Sequence, residues 1–357
     1  MGQNNLLNEK NEYEKNKMNS SNYKEINVEN REKAAKEEIN KWKNDAERFE
    51  SYRKEWNKAA NDNHLPDHPL HVDIELSDAC NLRCKMCVHG LGTMKNVGFM
   101  DIGLAKKVID QCVEIGVCSI KFNWRGEATL NKHIIEAIQY AKSQGILEVQ
   151  INTNGFPPSE GALIECAKEG IDRIIFSIDG FSKETYEGTR IGGNYEKLLK
   201  NIHSLLDWKK ELQRTKPFIR IQMVRTKENA HEIPKFIQYW QLLVDDVRIS
   251  DVTDRGQGNS LSVGDQIAVG RRRCPQPFQR LTIGRDGRVS PCCSDWDQQY
   301  IVGNVNIENL SNIWNGQKMN NIRAVQNELK HDTVKICKDC YVKESYVWEK
   351  NENNGGD

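Results

Sequence analysis

Between residues 71 and 249 the chain alternates short apolar runs with longer amphipathic stretches. The apolar runs predict strands at residues 71–76, 117–124, 147–152, 173–178, 218–224 and 247–249. Helical periodicity covers residues 104–114, 132–144, 159–169, 195–213 and 232–243. Such β–α repeats predict a parallel sheet with right-handed crossovers, either doubly wound or curled into a barrel. Six repeats are too few for a complete eightfold barrel.

Polar residues follow several of the predicted strands. Arg125, Gly126 and Glu127 follow the second strand. The segment NTNG at 152–155 follows the third strand, and Ser177 lies at the end of the fourth. The carboxyl ends of parallel strands share one edge of a sheet, so these residues are expected to meet at one mouth. The sequence therefore places a candidate site at that edge.

The regions on either side of the repeats differ in composition. Residues 1 to about 30 are polar and predict disorder. Residues 31–60 carry apolar side chains at helical spacing, which favours a helix packed on the main body over a partner-binding helix; they are Ile39, Trp42, Ala46, Phe49, Tyr52 and Trp56. A Gly- and Ser-rich stretch after Asp254 indicates a linker. We expect an N-terminal extension at 1–68, an α/β unit at 69–255 and a smaller module at 256–357.

Composition excludes several classes of protein. Lys plus Arg and Asp plus Glu number 51 each, so no net charge attracts nucleic acid or an anionic membrane. The sequence has no apolar run of about 18 residues and no apolar core of a secretory signal near its start, so we expect a cytosolic protein. In that reducing compartment, eleven cysteines predict metal ligands or reactive thiols rather than disulfides. Three of them, Cys112, Cys118 and Cys166, fall in or beside apolar runs and are expected in the core.

Three further cysteines follow the first predicted strand, in the segment SDACNLRCKMC, at Cys80, Cys84 and Cys87. A structural zinc uses four ligands, so a set of three leaves one coordination position open. Three thiolates in one loop can converge on a cuboidal iron–sulfur cluster and leave its fourth iron open to a substrate or cofactor. A zinc site or a chance grouping is the alternative.

The segment CNLRCKMC after a first strand resembles the radical SAM superfamily, whose C-x3-C-x2-C motif holds a [4Fe-4S] cluster. This resemblance implies that S-adenosylmethionine (SAM) binds the open iron and is cleaved to a 5′-deoxyadenosyl radical, which abstracts hydrogen from a substrate. The segment NWRGEA at 123–128 resembles the family's GGEP motif, with Arg125 in place of the first glycine and Ala128 in place of proline.

The same resemblance implies roles for individual cofactor-binding residues. Glu127 is expected to accept a hydrogen bond from the SAM ammonium, and Gly126 to allow close backbone approach. Ser177 is expected at the ribose or carboxylate of SAM, with helix capping as the alternative. Arg190 is expected at the carboxylate, with a surface ion pair as an equal alternative. Asn152 is expected to line the mouth.

A second cysteine set follows the predicted linker, around a predicted hairpin at 281–293 with Asp286 and Gly287 at its turn. The set resembles the twitch and SPASM domains that follow radical SAM barrels, and the sequence has no cysteine after Cys340 that would bind a further cluster. The resemblance implies one auxiliary [4Fe-4S] cluster, with structural zinc as the alternative; its ligands would be Cys274, Cys292, Cys337 and Cys340. Cys293 competes with Cys292, but the Gly-x4-Cys spacing favours Cys292.

Together these features predict a partial (β/α)6 radical SAM barrel followed by a small α+β module. Similarity to radical SAM proteins of carbohydrate and aminoglycoside pathways implies oxidation of a secondary alcohol of a sugar or aminocyclitol to a ketone, with a flavodoxin- or ferredoxin-type reductant. The alternatives are an epimerase with Cys293 as hydrogen donor, a peptide-modifying enzyme, an iron–sulfur electron carrier or a zinc-binding module. Asp251, Asp254 and Arg255 are candidates for proton transfer, with ordinary surface-loop roles as the alternative.

Overall fold

The computed structural model describes residues 38–62, 64–252, 266–338, 340 and 344–348. The predicted disordered start and the boundary between residues 255 and 256 lie outside these residues, as do Asp254 and Arg255. In the part of the chain that is described, no helix is long and apolar enough to cross a membrane.

The described strands are short, as expected for an α/β protein. They are β1 His71–Ile74, β2 Arg83–Cys84, β3 Ser119–Lys121, β4 Glu148–Thr153, β5 Arg173–Ser177, β6 Arg190–Ile191, β7 Phe218–Arg225, β8 Asp246–Asp251, β9 Gln266–Arg271, β10 Arg280–Ile283, β11 Arg288–Ser290, β12 Gly303–Asn304 and β13 Glu344–Trp348. Nine of them form one sheet in the order β12-β11-β10-β1-β3-β4-β5-β7-β8. Two small sheets pair β2 with β6 and β9 with β13.

The six predicted strands correspond to β1, β3, β4, β5, β7 and β8, and neighbours among them pair in parallel. This confirms the α/β class with a parallel sheet. The predicted hairpin is confirmed by the antiparallel pairing of β10 with β11. The sequence did not predict that β10 also pairs in parallel with β1. That pairing satisfies the backbone groups of an otherwise open sheet edge, and it joins the C-terminal module to the barrel sheet.

Helices connect the parallel strands. The α-helices cover Ala46–Asn61, Ile102–Glu114, Ile134–Ser143, Ala162–Lys168, Lys183–Thr189, Tyr195–Glu211, Ile233–Trp240, Gln276–Gln279, Leu310–Asn315, Gln317–Asn327 and Lys335–Lys338, and short 3₁₀ turns cover Lys43–Asp45, Ala128–Leu130, Ala230–Glu232 and His331–Thr333. Side-chain caps fix several starts: Asp101, for example, accepts from Gly103 N–H at 2.9 Å at the start of Ile102–Glu114.

The two faces of the parallel sheet differ in polarity because side chains alternate along a strand. The face toward the helices is apolar and belongs to the main core, as Ile74, Ile120 and Ile221 show. The opposite face, which we call the lumen, carries polar and charged side chains joined across strands. Lys121, for example, forms a 2.7 Å ion pair with Asp73. Polar side chains on this face can bind a polar ligand, whereas an apolar face would only pack against other apolar residues.

The helix Ala46–Asn61 packs on the main body. This confirms the prediction that residues 31–60 contain a packed helix rather than a partner-binding one. Its buried Phe49 and Tyr52 form a second apolar cluster with Phe278 of the C-terminal module. Gln279 Nε2–H also donates to the Trp56 carbonyl at 2.9 Å. The helix therefore ties the barrel to the C-terminal module. The core placement predicted for Cys112 and Cys166 is confirmed, whereas Cys118 is only partly buried.

Candidate cofactor and cluster sites

The first cysteine set lies in the loop that follows β1. This loop folds back on itself, with Cys87 N–H donating to the Cys84 carbonyl at 3.0 Å and Leu82 N–H donating to Cys80 Sγ at 3.5 Å. Burial raises the pKa of the Cys84 thiol to about 12, so a bound metal must supply the positive charge that keeps this sulfur ionised. Three thiols gathered on one loop fit an iron–sulfur cluster with one open iron.

Arg190 is held against this loop. Strand β6 pairs with β2 so that Arg190 lies opposite Cys84, and Arg190 Nη1–H donates to Cys84 Sγ at 3.7 Å. Arg190 also forms a 2.7 Å ion pair with Asp179. Burial alone would lower the pKa of Arg190, but the charge of Asp179 outweighs it and the pKa is raised. The side chain is buried, so the surface-pair alternative is wrong. Arg190 is instead a cation that stabilises the Cys84 thiolate.

Glu127 and Gly126 connect the end of β3 to the cysteine loop. A Cβ added at Gly126 would lie 2.5 Å from the Ala79 carbonyl oxygen, which shows how closely the two backbones approach. The buried Glu127 carboxylate accepts hydrogen bonds from Asn154 N–H at 2.7 Å and from Thr153 Oγ1–H at 2.9 Å. Burial raises its pKa. Glu127 therefore anchors the neighbouring loops, and its contact with the SAM ammonium stays a prediction.

Asn152 and Ser177 lie on the lumen face at the ends of β4 and β5. Asn152 N–H donates to Asn123 Oδ1 at 2.8 Å. Its own buried Oδ1 has no hydrogen-bond partner among the described residues, so a water molecule or a bound ligand is needed to satisfy it. The capping alternative for Ser177 is wrong, because Ser182 caps the next helix by accepting from Thr185 N–H. The lumen edge at these two residues fits a polar cofactor.

The second cysteine set lines a single cavity in the C-terminal module, and the cavity contains all four predicted ligands: Cys274, Cys292, Cys337 and Cys340. Cys293 is not among the cavity's described lining residues. Across the described ranges, no three His, Cys, Asp or Glu side chains lie close enough to hold a single metal ion. A cuboidal cluster needs a wider arrangement, because each of its thiolates binds a different iron.

Gln326 is a site residue that the sequence analysis missed. It lies buried on the helix Gln317–Asn327. Its Nε2–H donates to Cys337 Sγ at 3.3 Å, and its Oε1 accepts from Cys274 N–H at 3.3 Å. Gln326 therefore connects two predicted ligands that are distant in sequence. A glutamine within an amphipathic helix gives no signal of this role in the sequence.

Trp124 and Arg125 join the barrel to the second site. Trp124 Nε1–H donates to the Cys293 carbonyl at 2.7 Å. Arg125 Nη1–H donates to the Trp296 carbonyl at 2.9 Å, and its Nε–H donates to buried Glu75 at 2.7 Å. Thus Arg125, which replaces a glycine of the family motif, ties the β3 loop to the C-terminal module.

Of the three predicted proton-transfer residues, the structure describes only Asp251, and this side chain does not face the mouth. Asp251 shares the strand face of Val247 and Ile249, whose side chains belong to the core, and Arg225 Nε–H donates to it at 2.6 Å. The prediction that Asp251 faces the mouth therefore differs from the structure, because strand alternation turns this side chain away from the lumen. Asp254 and Arg255 lie outside the described residues.

Two family matches cover the two sites. Residues 74–235 match the radical SAM superfamily, and residues 274–341 match the SPASM iron–sulfur cluster-binding domain. The first match contains the Cys80, Cys84 and Cys87 loop, and the second contains all four cysteines of the cavity.

Three proteins similar to this chain in sequence have different functions. A tungsten-containing aldehyde ferredoxin oxidoreductase cofactor-modifying protein from Pyrococcus furiosus is 23% identical over 76% of this chain and 87% of its own length. A GTP 3′,8-cyclase from Desulforamulus reducens is 25% identical over 56% of this chain and 60% of its own. A SAM-dependent 2-deoxy-scyllo-inosamine dehydrogenase from Niallia circulans is 21% identical over 75% of this chain and 91% of its own.

Two solved structures share the fold. Streptococcus suis SuiB bound to the precursor peptide SuiA has a TM-score of 0.61 at 14% identity, over 83% of this chain and 76% of its own. BtrN in complex with AdoMet and 2-DOIA has a TM-score of 0.53 at 18% identity, over 76% of this chain and 93% of its own.

Proposed function

This chain is a radical SAM enzyme with a C-terminal SPASM-type iron–sulfur domain, and from this premise we propose that it oxidises a secondary alcohol of a sugar or aminocyclitol to a ketone. When bound, SAM and the two clusters supply a hydrogen-abstracting carbon radical and an acceptor for one electron. In the overall reaction the alcohol loses a hydrogen atom from carbon, a proton from oxygen and one electron, and a C=O bond forms.

The residues of this chain hold and orient these groups. Cys80, Cys84 and Cys87 would hold the first cluster, with Arg190 stabilising the Cys84 thiolate. The polar ends of β4 and β5 would hold SAM, and the unsatisfied Asn152 Oδ1 is available to accept a hydrogen bond from it. A flavodoxin- or ferredoxin-type protein would supply the first electron.

The observation that carries this proposal is the cavity lined by four cysteines. A cluster with four protein ligands has no open iron for substrate, so electron transfer is the role it suits. The Trp124 hydrogen bond to the Cys293 carbonyl, at 2.7 Å, links the loop after β3 to the residue next to the cavity ligand Cys292. An electron acceptor next to the barrel mouth is what a two-electron oxidation needs. The relative from Niallia circulans, a dehydrogenase, supports the same reaction.

The test uses the full chain with both clusters reconstituted under anaerobic, reducing conditions, with SAM and a panel of sugars and aminocyclitols. We expect 5′-deoxyadenosine and ketone in equal amounts, measured by mass spectrometry after reduction with borodeuteride. A panel member that yields 5′-deoxyadenosine and a modified product without ketone contradicts the dehydrogenase assignment.

Epimerisation is the second candidate, and the position of Cys293 favours it. This residue adjoins Cys292, is only partly buried and is not among the described residues that line the cavity. A thiol at this position would donate a hydrogen atom to the opposite face of a substrate radical. Epimerisation in deuterium oxide would place deuterium on the product carbon, and Cys293→Ala would abolish it. A dehydrogenase gives neither result.

A further inference from the structure

We propose that the buried ion pair between Arg190 and Asp179 sets the reduction potential of the first cluster, with Arg190 raising this potential and Asp179 lowering it. Both residues act on the cluster through its ligand Cys84. The inference goes beyond the proposed oxidation, because it concerns the cluster of the radical SAM domain and holds for any substrate of the enzyme.

Arg190 contacts Cys84 and Asp179 with different nitrogens of its guanidinium group. Nη1–H donates to Cys84 Sγ at 3.7 Å, and Nη2 lies 2.7 Å from Asp179 Oδ2. The side chain of Arg190 is 10% exposed and that of Asp179 is 0% exposed. Charges at this depth act strongly on their neighbours, because little water screens them. The cluster ligand therefore has a buried cation in contact with it, and that cation is in turn paired with a buried anion.

A second sulfur of the same loop has different neighbours. Cys80 Sγ accepts hydrogen bonds from Leu82 N–H at 3.5 Å and from Asn154 Nδ2–H at 3.8 Å, and both donors are uncharged. Of these two ligands, Cys84 is the one that a cation contacts. The charge of the ion pair therefore acts on the cluster chiefly at Cys84.

The fold holds both members of the ion pair in place. Strand β6 pairs with β2, so that Arg190 lies opposite Cys84. Asp179 Oδ1 accepts a hydrogen bond from Val224 N–H of β7 at 2.7 Å, and its carbonyl accepts from Thr189 Oγ1–H at 3.0 Å. Because backbone contacts position each residue, either charge can be removed by substitution while the other stays beside Cys84.

The sign of each effect follows from the charge. Reduction adds negative charge to the cluster, so a nearby cation stabilises the reduced state and raises the potential, whereas an anion lowers it. Burial raises the pKa of the Cys84 thiol; Arg190 opposes this rise in pKa, and Asp179 adds to it less strongly. The cation is therefore the dominant charge of the pair at this ligand.

Other groups near the pair do not alter these signs. The Tyr186 hydroxyl stays uncharged, because burial raises its pKa. Glu127, which acts on Cys80, is the same in every variant. Each predicted shift is the difference made by one substituted charge, so the contribution of such groups cancels in the comparison.

The midpoint potential of the first cluster is measured by an anaerobic EPR titration of the full chain with both clusters reconstituted and without SAM. Addition of SAM to a parallel sample identifies the signal of the first cluster. Arg190→Gln should lower the potential and Asp179→Asn should raise it, whereas Arg190→Lys, which keeps the charge, should stay close to the wild type. We expect each of the first two variants to change the equilibrium constant for reduction by about tenfold or more, which is about 59 mV for one electron.

Asp172→Asn is the matched control. Asp172 immediately precedes β5, whereas Asp179 follows that strand, so the two carboxylates lie at opposite edges of the sheet. Asp172 is also buried and forms a 2.7 Å ion pair, with Lys142. This variant should leave the potential of the first cluster unchanged. The second cluster serves as an internal reference, and its potential should stay constant in all four variants.

Three outcomes of the titration would overturn the proposal. The first is an unchanged potential in Arg190→Gln, and the second is an equal loss in Arg190→Lys. The third is a shift in the same direction in Arg190→Gln and Asp179→Asn, which a general loss of packing would produce. If Asp179→Asn does not fold, the comparison of the two Arg190 variants still decides.

SAM affinity, measured by anaerobic calorimetry without reductant, tests the role that the family resemblance implies for Arg190. An Arg190→Gln variant that binds SAM more weakly but keeps the wild-type potential has lost a contact with the SAM carboxylate, and this result also overturns the proposal. No alcohol is present in either measurement. Failure of the dehydrogenase assignment and failure of this inference are therefore separate results.

Discussion

Replacing Gly126 with alanine tests how closely the β3 loop shapes the first cluster site. A Cβ at this position would lie 2.5 Å from the Ala79 carbonyl oxygen and closer still to the Ser77 carbonyl oxygen. Both are backbone atoms of the segment that leads into Cys80. Glu127 N–H also donates to the Ala79 carbonyl at 2.8 Å, which holds the two segments together. Unlike the end of a side chain, these backbone atoms cannot rotate away.

The size of the effect follows from the overlap. The Ala79 carbonyl must move from 2.5 Å to at least 3.4 Å from the new Cβ to reach an ordinary contact. Overpacking of this kind costs about 1–3 kcal/mol of folding free energy. The shift acts directly on the loop that carries the three cysteines, so we expect the first cluster to be lost or unstable while the second is retained.

Iron content and thermal unfolding of the reconstituted protein measure both effects. We expect the variant to hold about four irons per chain instead of about eight, with no SAM cleavage and a lower Tm. Gly188→Ala is the control, because it lies in the helix Lys183–Thr189 and an added Cβ has no atom within 4 Å. That control should be neutral or more stable by about 0.5–1 kcal/mol. Full iron content and an unchanged Tm in Gly126→Ala would refute the reasoning.

Three further changes test other parts of the structure. Gln326→Leu removes the 3.3 Å hydrogen bond to Cys337 Sγ. The reduction potential of the second cluster should fall, because hydrogen bonds to a ligand sulfur stabilise the reduced cluster. An unchanged potential in an EPR titration contradicts this prediction. Burial lowers the pKa of His71 to about 4, below the ordinary 6.5, so between these two values the folded state binds fewer protons than the unfolded state. The free energy of unfolding should therefore fall by at most about 3 kcal/mol as the pH drops from 6.5 to 4. Denaturant titrations in which His71→Gln keeps the same pH dependence would count against this assignment. Trp124→Phe removes the 2.7 Å bond to the Cys293 carbonyl and should lower the ketone formed per 5′-deoxyadenosine at normal iron content, and an unchanged ratio argues against this link.

Much of the fold could be predicted from local patterns. The alternation of apolar runs located β1, β3, β4, β5, β7 and β8, because period-two and helical hydrophobicity each report on local structure. The Asp286-Gly287 turn likewise located the hairpin of β10 and β11. The parallel pairing of β10 with β1 could not be predicted in this way. It joins residues 71 and 280, and no local pattern specifies which distant strand will cover a sheet edge.

The two cysteine sites likewise combine features that the sequence could predict with features that it could not. The spacing of Cys80, Cys84 and Cys87 located the first site, because three ligands within one short loop can approach one another without any long-range strand pairing. The spacing gave no information on Arg190, whose contact with Cys84 Sγ at 3.7 Å depends on the pairing of β2 with β6. The role of Gln326 between two cysteines was also decided only by the packing of its helix.

By itself the sequence determined the class of the chemistry, since three thiols in one loop and four more in a later module specify the metal groups that they can hold. The tertiary structure decided what surrounds those groups. On the lumen face, Arg220 of β7 and Arg248 of β8 lie on separate strands, and neither residue belongs to a motif. Only the curvature and register of the sheet place them together over the buried Asp246. Charge and direction at a site depend on such long-range contacts, and a local pattern contains no information about them.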